Sequence, residues 1–349
     1  MESVAESETE IRKLQETGRA SFIVSVPKRW VQDLSLRKGS LIRVSAQQDG
    51  SLLLIAGQST AKQRPSEASI KVESNQDPES LARKLISLYM IGLNTVMLKS
   101  KDTGMSPQIR DAVRELVRRK LVGTEIVSES SSEMVLQVLL SYPELSADNT
   151  LRRMVTISDQ MHRDSITALC EGKHDLAAQV LKSDDEVDRF SFYIVRLLKQ
   201  AVEHPQLMKE IGLSSPRDCL GYRLIAKSVE RVADHASLIA EHVTTLQEPL
   251  TPKLAGRLKE LSEFSSLLFQ EASQALFRGD YSMADRVLAR QDQAEKLEAE
   301  IERQIYKQSL SPEDISALRL ILESLRRIGE YATDIAEIVL NLTVGKTNM

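Results

Sequence analysis

The chain has 349 residues, enough for two or three domains, with 42% hydrophobic residues, only 4% aromatics and a net charge of −4. This composition predicts a largely helical protein cored by aliphatic side chains. The two distant cysteines, Cys170 and Cys219, exclude a disulfide framework or a zinc finger. The opening Met1-Glu2-Ser3-Val4-Ala5-Glu6 is acidic where a signal peptide is basic and then apolar, and no apolar run approaches a membrane span. The expectation is therefore a cytoplasmic protein with no membrane insertion. Charge is unevenly spread: residues 11–56 hold eight Lys/Arg against three Asp/Glu, a basic module on an acidic body.

Taken in order, the chain first reads as β structure. Ser21-Phe22-Ile23-Val24-Ser25-Val26 is a strand-like run, Pro27 opens a short helix over 28–34, and strands over 41–45 and 51–55 meet across Asp49-Gly50, a hairpin turn dipeptide. A polar linker over 58–66 follows. Beyond it strands (69–72, 95–98, 125–127, 134–138) alternate with helices (78–91, 107–121), which predicts a small α/β domain over 68–145. It has no phosphate-cradling glycine loop and no nucleophile elbow. Its run of Arg114, Arg118, Arg119 and Lys120 has helical spacing and reads as a solvated face.

From Ser146 onward the pattern is helical and repeated. Ala168-Leu169, Gly172, Ala177, Val180-Leu181 and Asp185 return 107 residues later as Ala275-Leu276, Gly279, Ala284, Val287-Leu288 and Asp292. The segment 224–241 returns 96 residues later as 320–337, so the first copy carries a surplus near 204–216. Six helices are predicted: 149–171, 175–203, 216–245, 252–278, 280–307 and 312–342. They form two three-helix bundles, 147–245 and 250–343, each too small to be very stable alone. The fold class is mainly α, tandem three-helix bundles preceded by a small β module and a small α/β domain.

Two resemblances follow from these residues. Gly18 to Gly39, with Ser25-Val26-Pro27-Lys28, Trp30-Val31 and Leu34-Ser35-Leu36-Arg37-Lys38-Gly39, resembles the AbrB/SpoVT/MazE swapped-hairpin family. This resemblance covers residues 1–57 and implies homodimerisation by interleaved hairpins. DNA-facing positions would lie near Arg12, Lys13, Arg19, Lys28 and Arg29, since clustered cations neutralise phosphates and release counterions. Glu-Arg-Val-Ala-Asp-His-Ala-x-x-Ile-Ala-Glu (230–241), with its degenerate second copy, resembles PhoU, and the whole arrangement resembles the archaeal-type PhoU-domain regulators. What this implies is a non-enzymatic regulator of phosphate uptake, with DNA as one partner.

The PhoU resemblance also implies a divalent or iron-type metal (Fe, Zn, Mg or Mn) on the third helix of each bundle. Carboxylates four apart share a helix face and repel until a cation neutralises them. The motif maps onto Glu230 and Asp234. In the second copy Arg326 stands where the acid is expected, and Glu330 with Asp334 forms a shifted pair. Asp185, Asp188, Asp292 and Glu295 are the second-helix acids able to complete the sites. The plain alternative is a salt-bridged surface with Arg231 and Arg327 as partners. His235 is a further candidate ligand, whereas His162, His174, His204 and His242 form no constellation with it. Two rival functions remain open: an adaptor that docks on a phosphate ABC transporter ATPase or a sensor kinase, and a metal-dependent hydrolase, for which no nucleophile or general base is evident.

Overall fold

The computed structural model describes residues 10–18, 21–46, 50–56, 67–73, 75–101, 104–140, 145–308 and 310–347. The chain forms two compact units, residues 1–65 and 66–349.

In the first unit β1 (Gln15–Thr17) pairs antiparallel with β2 (Ser21–Ile23), and Thr17 faces Ser21. The helix α1 (Lys28–Asp33) starts immediately after Pro27, which sits at the N-cap rather than in the first turn. A second hairpin pairs β3 (Ile42–Ala46) with β4 (Leu52–Ala56), Ala46 opposite Leu52. Gly50, just before β4, takes a positive φ of +81°, which glycine adopts readily, while Asp49 of the expected turn dipeptide lies outside the described residues. Two separate two-stranded ribbons bury little: among the described residues of this unit only Ala56 is buried, while Phe22, Leu41, Val44 and Leu52 are exposed. An isolated ribbon of this kind is marginally stable in water.

The second unit begins with an α/β domain. Its sheet is ordered β5-β6-β8-β7, from β5 (Glu67–Val72), β6 (Thr95–Ser100), β7 (Thr124–Glu129) and β8 (Glu133–Val138). β5 and β6 run parallel, joined by α2 (Pro78–Met90); the other pairs are antiparallel, with a bulge between Ile126 and Ser128. Alternation decides the buried face: Ile70, Val72, Val96, Leu98, Met134 and Leu136 point into the core. Leu81 and Leu85 of α2, and Ile109, Val113 and Val117 of α3 (Pro107–Lys120), cover it. Both helices open on a side-chain cap followed by proline. The Asp77 carboxylate accepts from the backbone N–H groups of Glu79 and Ser80, and the Ser106 hydroxyl accepts from that of Ile109. Each such cap contributes about 1 kcal/mol.

The tandem follows. The first bundle comprises α4 (Ala147–Glu171), α5 (His174–Glu203) and α7 (Pro216–Val243). The short α6 (Pro205–Glu210) occupies the surplus segment, and its Leu207 and Met208 join the core. Ser215 and Asp218 form a reciprocal capping box on α7, while Gly172 closes α4 in the left-handed conformation at φ +64°. The second bundle comprises α8 (Pro252–Arg278), α9 (Tyr281–Leu288), α10 (Gln291–Ile305) and α11 (Pro312–Thr347). α7 packs on α11 and α4 on α8, so one apolar core runs through both bundles. At Gly221 of α7 a Cβ would lie 2.8 Å from Leu342 Cδ2, a measure of how closely α7 and α11 cross.

One expected helix is broken. The span 280–307 divides at Ala289-Arg290, where the Arg290 N–H bonds to the Val287 carbonyl at 3.2 Å. The cause is weak anchorage. α5 buries Val187 and Phe190 in this stretch, whereas 107 residues later stand the half-buried Ala294 and Leu297.

The α/β domain is held on α5 by a cation. The Arg196 guanidinium, fully buried, donates to the Tyr89 carbonyl at 2.7 Å, the Leu93 carbonyl at 2.8 Å and Asn94 Oδ1 at 2.5 Å. Its carbon also stands 5.0 Å from the Tyr89 ring centre. One turn on, Gln200 Nε2 donates to the Gly92 carbonyl at 3.1 Å, where φ is +99°. The last carbonyls of α2 are already closed by backbone N–H groups, Gly92 to Tyr89 at 3.0 Å among them, so these side chains chiefly satisfy the turn that follows the helix.

Between the bundles, His162 of α4 is buried and its Nε2 lies 2.9 Å from the Ser262 hydroxyl of α8. Burial holds its pKa below the usual value, outweighing the Ser262 carbonyl and the nearby Asp159 charge that favour protonation. The unfolded chain therefore takes up a proton near pH 6.5 that the folded chain resists, so this histidine's contribution is present above that pH and lost as pH falls below it. The melting-temperature gap between wild type and His162→Gln is expected to narrow from pH 7 to pH 5. Parallel pH profiles for the two proteins would refute the assignment.

Candidate functional site

Two helices of the first bundle bring carboxylates together. α5 contributes Asp184, Asp185 and Asp188, and α7 contributes Glu230 and Asp234; all five are half-buried. Asp184/Asp188 and Glu230/Asp234 are both i, i+4 pairs, so each pair lies on one face of its helix. Burial first, and then the charges of Glu230, Asp184 and Asp188, push the Asp234 pKa up to about 6. Asp184 is raised as well, by burial and then by Asp188. Like charges held in a half-dry site oppose one another's ionisation, and a cation relieves them.

The protein supplies some cations itself. Lys227 Nζ donates to Glu230 Oε1 at 2.7 Å, and the Ser191 hydroxyl to Glu230 Oε2 at 3.3 Å. Arg231 Nε stands 3.9 Å from Asp234. Lys120 Nζ, from the last turn of α3, lies 2.7 Å from both Asp185 Oδ1 and Asp188 Oδ2, and Arg119 pairs with Asp185. Arg114, Arg118 and Arg119 are exposed, as the spacing predicts, whereas Lys120 is half-buried because the end of α3 sits on α5. Arg114 likewise pairs with Glu129 at 2.6 Å. Glu230 takes Lys227 as its ion-pair partner, not Arg231.

The second bundle places different chemistry in the equivalent position. Gln291, Glu295, Arg326 and Glu330 correspond to Asp184, Asp188, Glu230 and Asp234, and with Glu298 they line a cavity of about 250 Å³. Arg326 pairs there with Glu330, with Glu323 at 2.5 Å and with Glu298 at 3.6 Å. Arg327 binds the other Glu330 oxygen at 2.7 Å. Asp292 is exposed and does not line this cavity. Asp334 lines a separate groove of about 490 Å³ between α7 and α11, with Lys227, Arg231, Arg327 and Tyr331. Its pKa is raised by burial and then by Glu337 and Glu330.

His235 turns away from the first-bundle carboxylates. Its ring centre lies 5.8 Å from that of Tyr331, the residue at the same position of the second copy. Burial and then the Arg327 charge lower its pKa. Of the residues expected to face DNA, Lys28 and Arg29 are exposed in the first turn of α1. Arg12, paired with Glu10, and Lys13 are exposed before β1, and Arg19 lies outside the described residues.

Sequence reasoning missed Asp184, although its spacing to Asp188 matches that of Glu230 to Asp234. It had no means of finding Lys120 as a partner, since the contact spans 68 residues. Among the described residues, no three His, Cys, Asp or Glu side chains form a group arranged to hold a metal ion. No described helix is long and apolar enough to cross a membrane.

Comparison with known proteins addresses the tandem. The chain is 24% identical over 200 residues to the phosphate-specific transport system accessory protein PhoU homolog 1 of Thermotoga maritima, covering 56% of this chain and 84% of that one. It is 27% identical over 198 residues to PhoU homolog 2 of the same organism, covering 54% and 80%. The crystal structure of the phosphate transport system regulatory protein PhoU from Streptococcus pneumoniae superposes with a TM-score of 0.50 at 17% identity, covering 57% of this chain and 94% of that one. The PhoU domain family itself matches residues 151–243 and 258–339, the two bundles just described. With half of its length matched in two consecutive copies, the chain belongs to the PhoU domain family.

Proposed function

We propose that the chain is a cytoplasmic, homodimeric regulator of phosphate transport that acts on DNA through its N-terminal unit and carries a cation-responsive site in its first bundle. The observation that carries the reading is the pair of PhoU domain matches. The accessory role in phosphate-specific transport named for the Thermotoga maritima relatives comes with it. A regulator needs no nucleophile, and no enzymatic role is assigned.

Homodimerisation is supported by the first unit's exposed Phe22, Ile23, Leu41, Val44 and Leu52, which a second copy would bury. DNA contact is supported by the exposed Lys28 and Arg29 and by the local excess of positive charge. For the cation, the donor set has suitable chemistry but, among the described residues, no three of its side chains are arranged around one ion. Asp184, Asp188, Glu230 and Asp234, with Asp185 at the edge, offer hard oxygen ligands whose mutual repulsion a divalent ion would relieve. Mg or Mn suits such donors better than Zn, and iron is also accommodated by carboxylates. In the second bundle Arg326 already neutralises Glu330, so the donors Glu295, Glu330, Asp292 and Asp334 do not assemble an equivalent site.

Duplex DNA from a phosphate-transport promoter, titrated with the full chain at rising salt, tests the transcriptional half. Each phosphate contact contributes a slope of about 0.9 in log K against log salt. The Lys28→Glu/Arg29→Glu double variant is expected to weaken binding at least tenfold and flatten that slope. Binding that is absent, or indifferent to both changes, removes the DNA reading. It would favour the adaptor that docks on a transporter ATPase or a sensor kinase.

A further inference from the structure

The cavity of the second bundle is bounded by shorter side chains than stand at the matching positions of the first. In the first bundle Met154, Met161, Val187 and Ala233 are buried. Their counterparts, 107 residues later on α8 and α10 and 96 later on α11, are Leu261, Leu268, Ala294 and Gly329, and all of these line the cavity of about 250 Å³. Val to Ala and Ala to Gly each remove carbon, and Met to Leu shortens the reach of the side chain twice. The differences all point one way. At Gly329 a Cβ would meet only Ser265 Oγ, at 3.5 Å, which is ordinary contact. No neighbour therefore demands glycine there, and glycine weakens a helix interior. What its missing side chain leaves is room.

The lining decides what can enter. Leu261, Leu268, Ala294 and Gly329 form an apolar floor, so the body of a ligand is apolar. An apolar cavity of ~150 Å³ already takes up benzene, and one of about 250 Å³ admits a slightly larger molecule. Charge at the wall is met from within: Arg326 pairs with Glu330, with Glu323 at 2.5 Å and with Glu298 at 3.6 Å. An anion would find Arg326 engaged and Glu295 exposed at the rim, and a cation would have to stand against Arg326. An uncharged molecule meets neither cost. The carboxylates take the guanidinium by its N–H edges, which lie in its plane. The remaining face is flat, weakly hydrated and suited to an aromatic ring. Arginine meets rings in this way elsewhere in the chain: the guanidinium carbon of Arg152 lies 3.9 Å from the Phe277 ring centre, and that of Arg153 lies 4.6 Å from that of Phe190.

We infer that the second bundle binds a small, uncharged aromatic molecule, its ring held between Arg326 and the floor of Leu261, Leu268 and Gly329. This goes beyond the regulatory reading above and needs neither its cation nor its DNA. The site also gives the broken helix a role. Gln291 and Ala294 of α10, just after the break at Ala289-Arg290, belong to the cavity wall. A bound ring supplies the apolar partner that this turn lacks, so ligand binding and order at the start of α10 are coupled.

The test uses the full chain with indole as the probe, calorimetry for affinity and hydrogen exchange of residues 291–298 for location. Indole at saturation is expected to slow exchange there. The double variant Ala294→Val/Gly329→Ala, which returns two walls to their first-bundle size, is expected to weaken indole binding roughly tenfold. Gly329→Ala alone, for which the neighbours leave space, is expected to weaken it roughly threefold, and it decides the matter if the double variant misfolds. Phenol is expected to bind roughly fivefold more tightly than cyclohexanol, its saturated counterpart, through the face of Arg326. Indole that does not bind wild type, or that binds Gly329→Ala as tightly as wild type, overturns the site. Indole that binds without changing exchange at 291–298 lies elsewhere and overturns it too. Phenol and cyclohexanol bound equally would overturn the aromatic ligand class and the part assigned to Arg326.

Discussion

Asp234→Asn is expected to raise the melting temperature of the chain and, on the cation reading proposed above, to weaken its binding of divalent cations. The two effects share one cause. In the absence of a cation the Asp234 carboxylate is held beside Glu230, Asp184 and Asp188, which together with burial push its pKa up to about 6. A folded-state pKa above the unfolded value means that the ionised group disfavours folding. That penalty is complete above the folded pKa and disappears as pH falls from about 6 toward the unfolded value near 4. The shift corresponds to ~3 kcal/mol. Asp234 is 36% exposed, however, and solvent screening reduces this to about 1 kcal/mol. A melting-temperature gain of roughly 2 °C at pH 7.5 is the expected result. The gain should vanish near pH 4, where both side chains are neutral. A variant that is less stable at pH 7.5 would show that Asp234 is instead a stabilising ion-pair partner of Arg231.

Arg196→Met carries the largest expected stability loss in the molecule. Methionine fills much of the volume but leaves the Leu93 carbonyl and Asn94 Oδ1 without the guanidinium donor, and the Tyr89 carbonyl with the Gly92 N–H in its place. Leaving a buried neutral acceptor without its donor costs about 1–3 kcal/mol per group. The loss falls at the junction of the α/β domain with the tandem. Urea unfolding is therefore expected to become biphasic, with the core of Leu81, Leu98 and Met134 melting first. Arg196→Lys restores charge but not the fork that reaches three acceptors, and recovers only part of the loss. A single transition shifted by less than about 1 kcal/mol would mean that apolar packing, not the guanidinium, holds the domain in place.

Much of the helical architecture is legible in the sequence because punctuation is strong there. Thr251-Pro252, Ser215-Pro216 and Ser146 cap helices, and Gly172 and Gly279 end them in left-handed turns. These are local signals, decided within four residues. The break at Ala289-Arg290 was not legible, since good helix formers surround it and the missing ingredient is an apolar partner across the bundle. The site divides in the same way. Glu230 and Asp234 are visible as an i, i+4 pair on a repeated helix, and Asp184 with Asp188 follows the same rule. Their counter-ion, by contrast, arrives from α3, and no periodicity encodes a contact made when one domain docks on another. Asp334 shows the opposite failure. Its spacing from Glu330 matched the motif, yet its place in the repeat corresponds to Leu238, and it lines the groove between the bundles.

The guanidinium of Arg326, seated among Glu298, Glu323 and Glu330, makes the second bundle self-sufficient in charge. The first bundle takes part of its positive charge from outside, through Lys120 at the end of α3. The duplicated halves are alike in outline and unlike in upkeep: one is complete by itself, and the other is complete only while the α/β domain is docked.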